Sequence, residues 1–139
     1  MNYKRILIGG LVAGLTINVL DFLVMLMATG GLYEKFQAKG LFLKEPRLPF
    51  APLWILGMFA IGILLAWFYA AARPRLGSGP GTALLVSFVL ALMVHVPYNL
   101  ASATWNPTGR LLPLIHMTAG IVEMVIAGYF AAWIYKEKE

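Results

Sequence analysis

The sequence contains no cysteine and few charged residues. Lys, Arg, Asp and Glu together make up 12% of its 139 residues, whereas an ordinary soluble domain carries about 25%. The absence of cysteine excludes disulfide scaffolds, iron–sulfur clusters, thiol catalysis and cysteine-ligated zinc sites. The sequence also shows no nucleophile–base pair, nucleotide fingerprint or acyl-transfer motif. A conventional hydrolase is therefore not expected, and an enzymatic function is not favoured.

Hydrophobic residues make up 60% of the chain, and the mean hydropathy is +0.79. Four apolar runs, residues 6–28, 51–72, 82–104 and 111–135, each exceed the roughly 20 residues that cross the hydrocarbon layer of a bilayer. Because backbone amides cannot be hydrated inside lipid, runs of this length must be helices. The sequence thus predicts an all-α integral membrane protein, a four-transmembrane-helix up-down bundle in a single domain over residues 1–139.

The connections between the runs differ in length. Residues 73–81, with sequence RPRLGSGPG, are rich in helix breakers and predict a tight turn between the second and third spans. Residues 29–50 are longer, and Leu32, Tyr33 and Phe36 alternate with polar side chains. This pattern predicts a short amphipathic segment between the first two spans that lies at headgroup level. It serves either as a surface helix, as a lid over a cavity or as a docking surface.

The distribution of Lys and Arg favours an orientation with both termini in the cytoplasm, since basic residues near the termini and in the 73–81 turn lie close to span ends. A compact chain with no transit-peptide pattern favours the bacterial inner membrane. The formal net charge of +5 is explained by anionic lipid headgroups. The expected partner is therefore the lipid bilayer, with no nucleic acid.

Small and aromatic residues predict how the spans pack. Gly10 and Gly14 are spaced to let the first span approach a neighbour closely. Trp and Tyr residues near the span ends predict an interfacial aromatic belt; they are Trp54, Trp67, Tyr69, Trp105, Trp133 and Tyr135. The second span has no polar residue away from its ends and is expected to supply only packing and a lipid-facing wall.

The other three spans carry polar side chains at membrane depth: Asn18, Asp21, His95, Tyr98, Asn99, His116 and Glu123. Ionisable groups inside a bilayer cost a few kcal/mol and normally face the bundle interior. At 100° per residue, His95 and Asn99 are about 40° apart on one face, and His116 and Glu123 are about 20° apart. The sequence therefore predicts a shared polar pocket in the outer half of the bundle.

Three interpretations of this pocket remain open. It is a hydrogen-bond network, for instance Asp21 with His95 and Glu123 with His116, that only fixes the register of the helices. Alternatively, it handles a proton, a cation or a ligand in a small binding or transport component, since a carboxyl group beside a histidine is typical of proton coupling.

The third interpretation is a haem or divalent-metal centre in a membrane redox subunit, with His95 and His116 as axial haem ligands, or both with Asp21 and Glu123 around Zn²⁺ or iron. No diagnostic ligand spacing supports it. Four helices enclose little volume, so a transporter is expected to be a homo-oligomer. The remaining alternative is an accessory structural subunit of a larger membrane complex.

Overall fold

The computed structural model describes residues 1–136. In chain order, the elements are α1 (Tyr3–Val24), a π-helical turn (Met25–Thr29), α2 (Gly30–Ala38), α3 (Phe50–Leu76), α4 (Pro80–Trp105) and α5 (Leu111–Ile134). No strand occurs in this described part of the chain. α1, the π turn and α2 form one continuous segment, and four helical segments are long and apolar enough to cross a membrane. The predicted all-α, four-span bundle is confirmed.

Local sequence explains where the helices begin and end. The Asn2 side chain caps α1 by accepting a hydrogen bond from the Arg5 amide, and Pro80 opens α4 at a position where a missing N–H costs nothing. The connection between α3 and α4 is shorter than the breakers in residues 73–81 predicted, because α3 continues through Pro74 to Leu76. Gly77 and Gly79 then turn the chain with φ values of 85° and 135°, which only glycine adopts without strain.

The four long helices pack as antiparallel neighbours. α1 contacts α3 and α5 extensively, α4 packs mainly on α5, and the contact between α3 and α4 is sparser. We call the half of the bundle with residues 3–17, 56–76, 80–92 and 124–135 the terminal half. The half with residues 18–38, 50–55, 93–105 and 111–123 is the loop half. The loop half corresponds to the outer half of the sequence-based prediction.

The hydrophobic core lies in the terminal half. All thirteen buried members of the core cluster belong to it, and seven of them are alanine. Small side chains let helix backbones approach closely, which is how helices associate where lipid removes the hydrophobic driving force between them. The terminal half is therefore held by close backbone packing.

Glycines make the closest helix contacts of the terminal half. Gly62 of α3 lies against Gly10 and Gly14 of α1, so that a Cβ at Gly62 would collide with the α1 backbone. This bears out the close approach expected for Gly10 and Gly14 and identifies α3 as the partner helix. Across the α4–α5 contact, Gly128 lies against Ser87.

Two tyrosines of the expected aromatic belt are buried instead. Tyr69 and Tyr135 are each 4% exposed and meet edge to face, with ring centroids 6.0 Å apart. Their hydroxyl groups accept hydrogen bonds from the backbone amides of Gly79 and Asn2 respectively. A tyrosine can enter the core where its hydroxyl finds a partner, and the terminal half supplies two such amides. Trp105 and Trp133, in contrast, lie on the surface.

Candidate functional site

The polar residues of α1 contact α3. Asn18 Nδ2 donates to the backbone oxygen of Gly14 at 2.9 Å and to that of Ile55 at 3.4 Å. Asp21 Oδ2 accepts a hydrogen bond from Trp54 Nε1 at 2.8 Å. The expectation that the second span supplies only packing is therefore wrong, because a tryptophan and a backbone carbonyl of α3 bind the polar side chains of α1.

α2 brings a tyrosine to the histidine near the start of α5. The hydroxyl of Tyr33 and Nε2 of His116 lie 3.1 Å apart and form a hydrogen bond. The Tyr33 ring also packs 5.5 Å from Phe42, and Phe42 contacts the buried Phe36 edge to face. This aromatic group places α2 over the loop end of α5.

The histidine of α4 packs directly on the backbone of α5. A Cβ at Gly120 would collide with the His95 ring, so a side chain at this position would displace the imidazole from its present place. Asn99 is 7% exposed, and its Nδ2 donates to the backbone oxygen of His95 at 2.8 Å. Gly120 and His95 lie eight residues from Gly128 and Ser87 along their respective helices, so α4 and α5 remain in register through both halves.

Glu123 is the most buried ionisable side chain of the site, with 5% of its surface exposed. Its Oε1 atom has no hydrogen-bond partner among residues 1–136. A buried acceptor without a donor costs about 1–3 kcal/mol, and more if it is charged. A carboxyl group in this setting is more stable when it is protonated or when a donor reaches it.

Asp21 connects these separate contacts electrostatically. Its charge acts on His95, His116 and Glu123, and also on Tyr33. The other three ionisable side chains expected in the pocket thus lie within electrostatic range of Asp21.

Their hydrogen bonds differ from the register-fixing network considered from the sequence. Asp21 pairs with Trp54 in place of His95, and His116 pairs with Tyr33 in place of Glu123. The side chain of Tyr98 is 73% exposed on α4 and lies at the edge of the cluster, where it acts electrostatically on Tyr33.

Sequence reasoning missed two members of the cluster, Trp54 and Tyr33. The sequence places Trp54 in the aromatic belt, although its indole N–H can donate a hydrogen bond to any nearby carboxylate. Tyr33 was assigned to the amphipathic segment, and its position relative to α5 depends on the π turn, which the hydropathy pattern does not reveal. A search for hydrogen-bond donors among the interfacial aromatics would have identified Trp54.

The geometry does not support a multi-ligand metal site. Within residues 1–136, no three His, Asp or Glu side chains converge closely enough to hold a metal ion. Haem ligation by His95 and His116 alone stays a prediction from the sequence, and a Soret band on purification would test it. In this structure His116 bonds Tyr33 and the His95 ring packs on α5.

These contacts define a class of protein: a multi-pass membrane protein built as a four-helix bundle with a polar cluster in one half. Comparison of the chain with protein-family models, with curated proteins and with solved structures finds no match. Any assignment of function therefore depends on the chemistry of the cluster.

Proposed function

We propose that the chain is a small binding or transport component of the membrane, and that its polar cluster takes up a proton, a cation or a donor-bearing ligand at Glu123. The observation that carries this proposal is the buried carboxyl group of Glu123, whose Oε1 has no partner in the described chain. In an apolar environment such a group is stable as the neutral acid or when a donor binds it. A proton and a ligand then compete for the same carboxyl group.

The neighbours of Glu123 support this role. Asp21 acts electrostatically on Glu123, so a positive charge or proton that arrives at one carboxyl group affects the other. His95 and His116 also lie within electrostatic range of Asp21. Imidazoles are the side chains best suited to relay protons near neutral pH. If the cluster only held the helices together, we would expect Oε1 of Glu123 to have a hydrogen-bond partner too.

Infrared difference spectroscopy of the protein in lipid tests proton uptake. A pH-dependent band of a protonated carboxyl group should appear in the wild type and disappear in Glu123→Gln. Glu34→Gln provides the matched control, because Glu34 is exposed on α2. If the pH-dependent band persists unchanged in Glu123→Gln, the proposal is wrong and an accessory structural role is favoured.

We further propose that both termini face the cytoplasm of a bacterial cell and that the working unit contains several copies of the chain or partner subunits. Because the chain has no native cysteine, single cysteines report orientation directly. Lys39→Cys should react with an impermeant maleimide in intact spheroplasts, and Ser78→Cys only after permeabilisation. The reverse pattern would contradict this orientation.

Native mass spectrometry from nanodiscs measures the oligomeric state, and a monomer would contradict the proposal that the working unit contains several chains.

A further inference from the structure

A groove of about 480 Å³ separates the loop halves of α1 and α5. α1 and the π turn form one wall, with Leu23 and Met27, and α5 forms the other, with Ala119, Val122 and Glu123. This volume lies within the range of about 300–1,000 Å³ that is typical of small-molecule sites. The groove is therefore large enough for a ligand, and Glu123, whose buried Oε1 lacks a partner among the described residues, is one of the residues that line it.

Among the described residues, two buried side-chain atoms lack a hydrogen-bond partner: Oε1 of Glu123, which lines the groove, and Oγ1 of Thr29 in the π turn, which does not. Thr118 also lines the groove, but its hydroxyl donates to the backbone oxygens of Leu114 and Ile115. The indole of Trp54 donates to Asp21, and the Asn99 amide donates to the His95 carbonyl. Each of these three donors already has a partner and does not bond Oε1 of Glu123. A donor carried by an occupant of the groove would fill this role.

The walls of the groove determine how an occupant arrives. Leu23, Met27 and Val122 are 44%, 85% and 58% exposed on the apolar surface of the bundle, which faces lipid when the helices span a bilayer. Glu123 lies twelve residues after the start of α5, or about 18 Å along the helix axis. A phospholipid headgroup would have to leave the interface to reach this depth, which is costly for a charged phosphate.

We infer that this groove binds a lipid-soluble, long-chain molecule with a single hydrogen-bond donor, an alcohol or a primary amine, whose donor bonds the carboxyl group of Glu123. The inference rests on the proposed function and names its ligand class. Aliphatic walls match an alkyl chain, and one small donor satisfies the carboxyl oxygen of Glu123 that has no partner. An alcohol donates a hydrogen bond to Glu123 when its carboxyl group is ionised, and both donates and accepts one when the carboxyl group is protonated. A protonated amine binds the ionised carboxyl group and so replaces its proton.

Photo-crosslinking of the full chain in nanodiscs tests the inference. The probe is a diazirine-bearing hexadecanol, and unlabelled hexadecanol, hexadecylamine and hexadecane are the competitors. Crosslinks are expected on α1 and α5 beside the groove, and the alcohol and the amine should compete whereas hexadecane should not. Equal competition by hexadecane would show that the groove holds only alkyl chains and would overturn the inference.

Variants separate the contribution of the carboxyl group from that of the groove. Glu123→Leu should weaken competition by both the alcohol and the amine by about tenfold or more, as expected for losing a hydrogen bond to a charged or buried group. Glu123→Gln keeps a carbonyl acceptor and should retain alcohol binding while it loses the amine. Ala119→Phe should block crosslinking by filling the groove, and Ala101→Phe, on the exposed surface of α4, is the matched control. Unchanged labelling in Glu123→Leu would contradict the inference.

The outcome is distinguishable from a failure of the proposed function. If the pH-dependent band of Glu123 is present but neither the alcohol nor the amine competes specifically, proton uptake at Glu123 is still supported. Only the proposed class of ligand is then wrong. If both signals are absent, the proposed function fails together with the inference. Circular dichroism and size-exclusion chromatography establish that each variant is folded before it is compared.

Discussion

The two halves of the bundle use opposite means of holding helices together. In the terminal half, glycine and alanine bring backbones into contact, and Ser87 bonds the carbonyl of Ala83 on its own helix. In the loop half, side chains bridge the helices, as Trp54 does to Asp21 and Tyr33 to His116. Both halves carry a groove on the outer surface of the bundle. The groove of the terminal half, about 460 Å³ between α1 and α3, has no ionisable carboxyl group or histidine in its lining, whereas the groove of the loop half includes Glu123.

The largest effect that tests this comparison is expected at Gly62. A leucine there would collide with the α1 backbone at Gly10 and Gly14, neither of which can move aside as a side chain can. Overpacking costs about 1–3 kcal/mol and occasionally more, so Gly62→Leu should lower the free energy of unfolding by about 3 kcal/mol or prevent assembly. Denaturing-detergent titration measures this loss. Gly57→Leu on the same helix is the control, because no atom lies within 4 Å of a Cβ at Gly57; equal losses would contradict close packing at Gly62.

A smaller effect is expected from two glycines of α5, one in each half. A Cβ at Gly128 would lie 2.5 Å from the Cβ of Ser87, which is fixed to its helix, whereas a Cβ at Gly120 meets a histidine ring that can rotate. Alanine also gains about 1 kcal/mol in helix propensity over glycine. Gly128→Ala should therefore destabilise the protein by about 1 kcal/mol, and Gly120→Ala should be nearly neutral in stability.

The same two substitutions distinguish an effect on stability from an effect on the polar cluster. Gly120→Ala should displace the His95 ring, which is visible as a shift of the imidazole resonances of selectively labelled protein by nuclear magnetic resonance. In Gly128→Ala these resonances should stay in place. A greater loss of stability in Gly120→Ala than in Gly128→Ala would mean that the loop half is as tightly packed as the terminal half.

The bond between Trp54 and Asp21 should contribute less again. Side-chain hydrogen bonds between membrane helices average about 0.6 kcal/mol and reach about 1.7 kcal/mol. A double-mutant cycle with Trp54→Phe and Asp21→Ala should therefore give a coupling energy of about 1 kcal/mol in the unfolding titration. A coupling of zero would show that this bridge does not hold α1 to α3.

The smallest effect on global stability is expected from Tyr33→Phe. It removes one partly exposed hydrogen bond to His116, which contributes about 0.5 kcal/mol. Locally, α2 should separate from α5 more often, so trypsin should cleave after Lys35 or Lys39 faster than in the wild type. Tyr3→Phe is the control, since Tyr3 is exposed at the opposite end of the bundle. Cleavage at the wild-type rate would contradict a role of Tyr33 in holding α2.

Hydropathy and residue spacing predicted most of the fold and part of the site. Four apolar runs specify four helices, because lipid leaves no other backbone structure, and the spacing of Gly10 and Gly14 predicted a close contact without naming its partner. The spacing of His116 and Glu123 placed both on one face of α5. The partners of these residues were not predictable, because the indole of Trp54 counts as apolar in a hydropathy pattern and the groove between α1 and α5 depends on tertiary packing.

The π turn at Met25–Thr29 determines which way α2 faces. The amide of Gly30 bonds the carbonyl of Met25, five residues earlier, so the turn holds one residue more than an α-helix would. Each added residue rotates everything after it by about 100° about the helix axis. Deleting one residue from this segment would restore the ordinary helical phase and swing Tyr33 away from His116, although every side chain of the cluster would still be present. The position of α2 over the cluster therefore depends on the number of residues in the π turn as well as on the identity of the side chains.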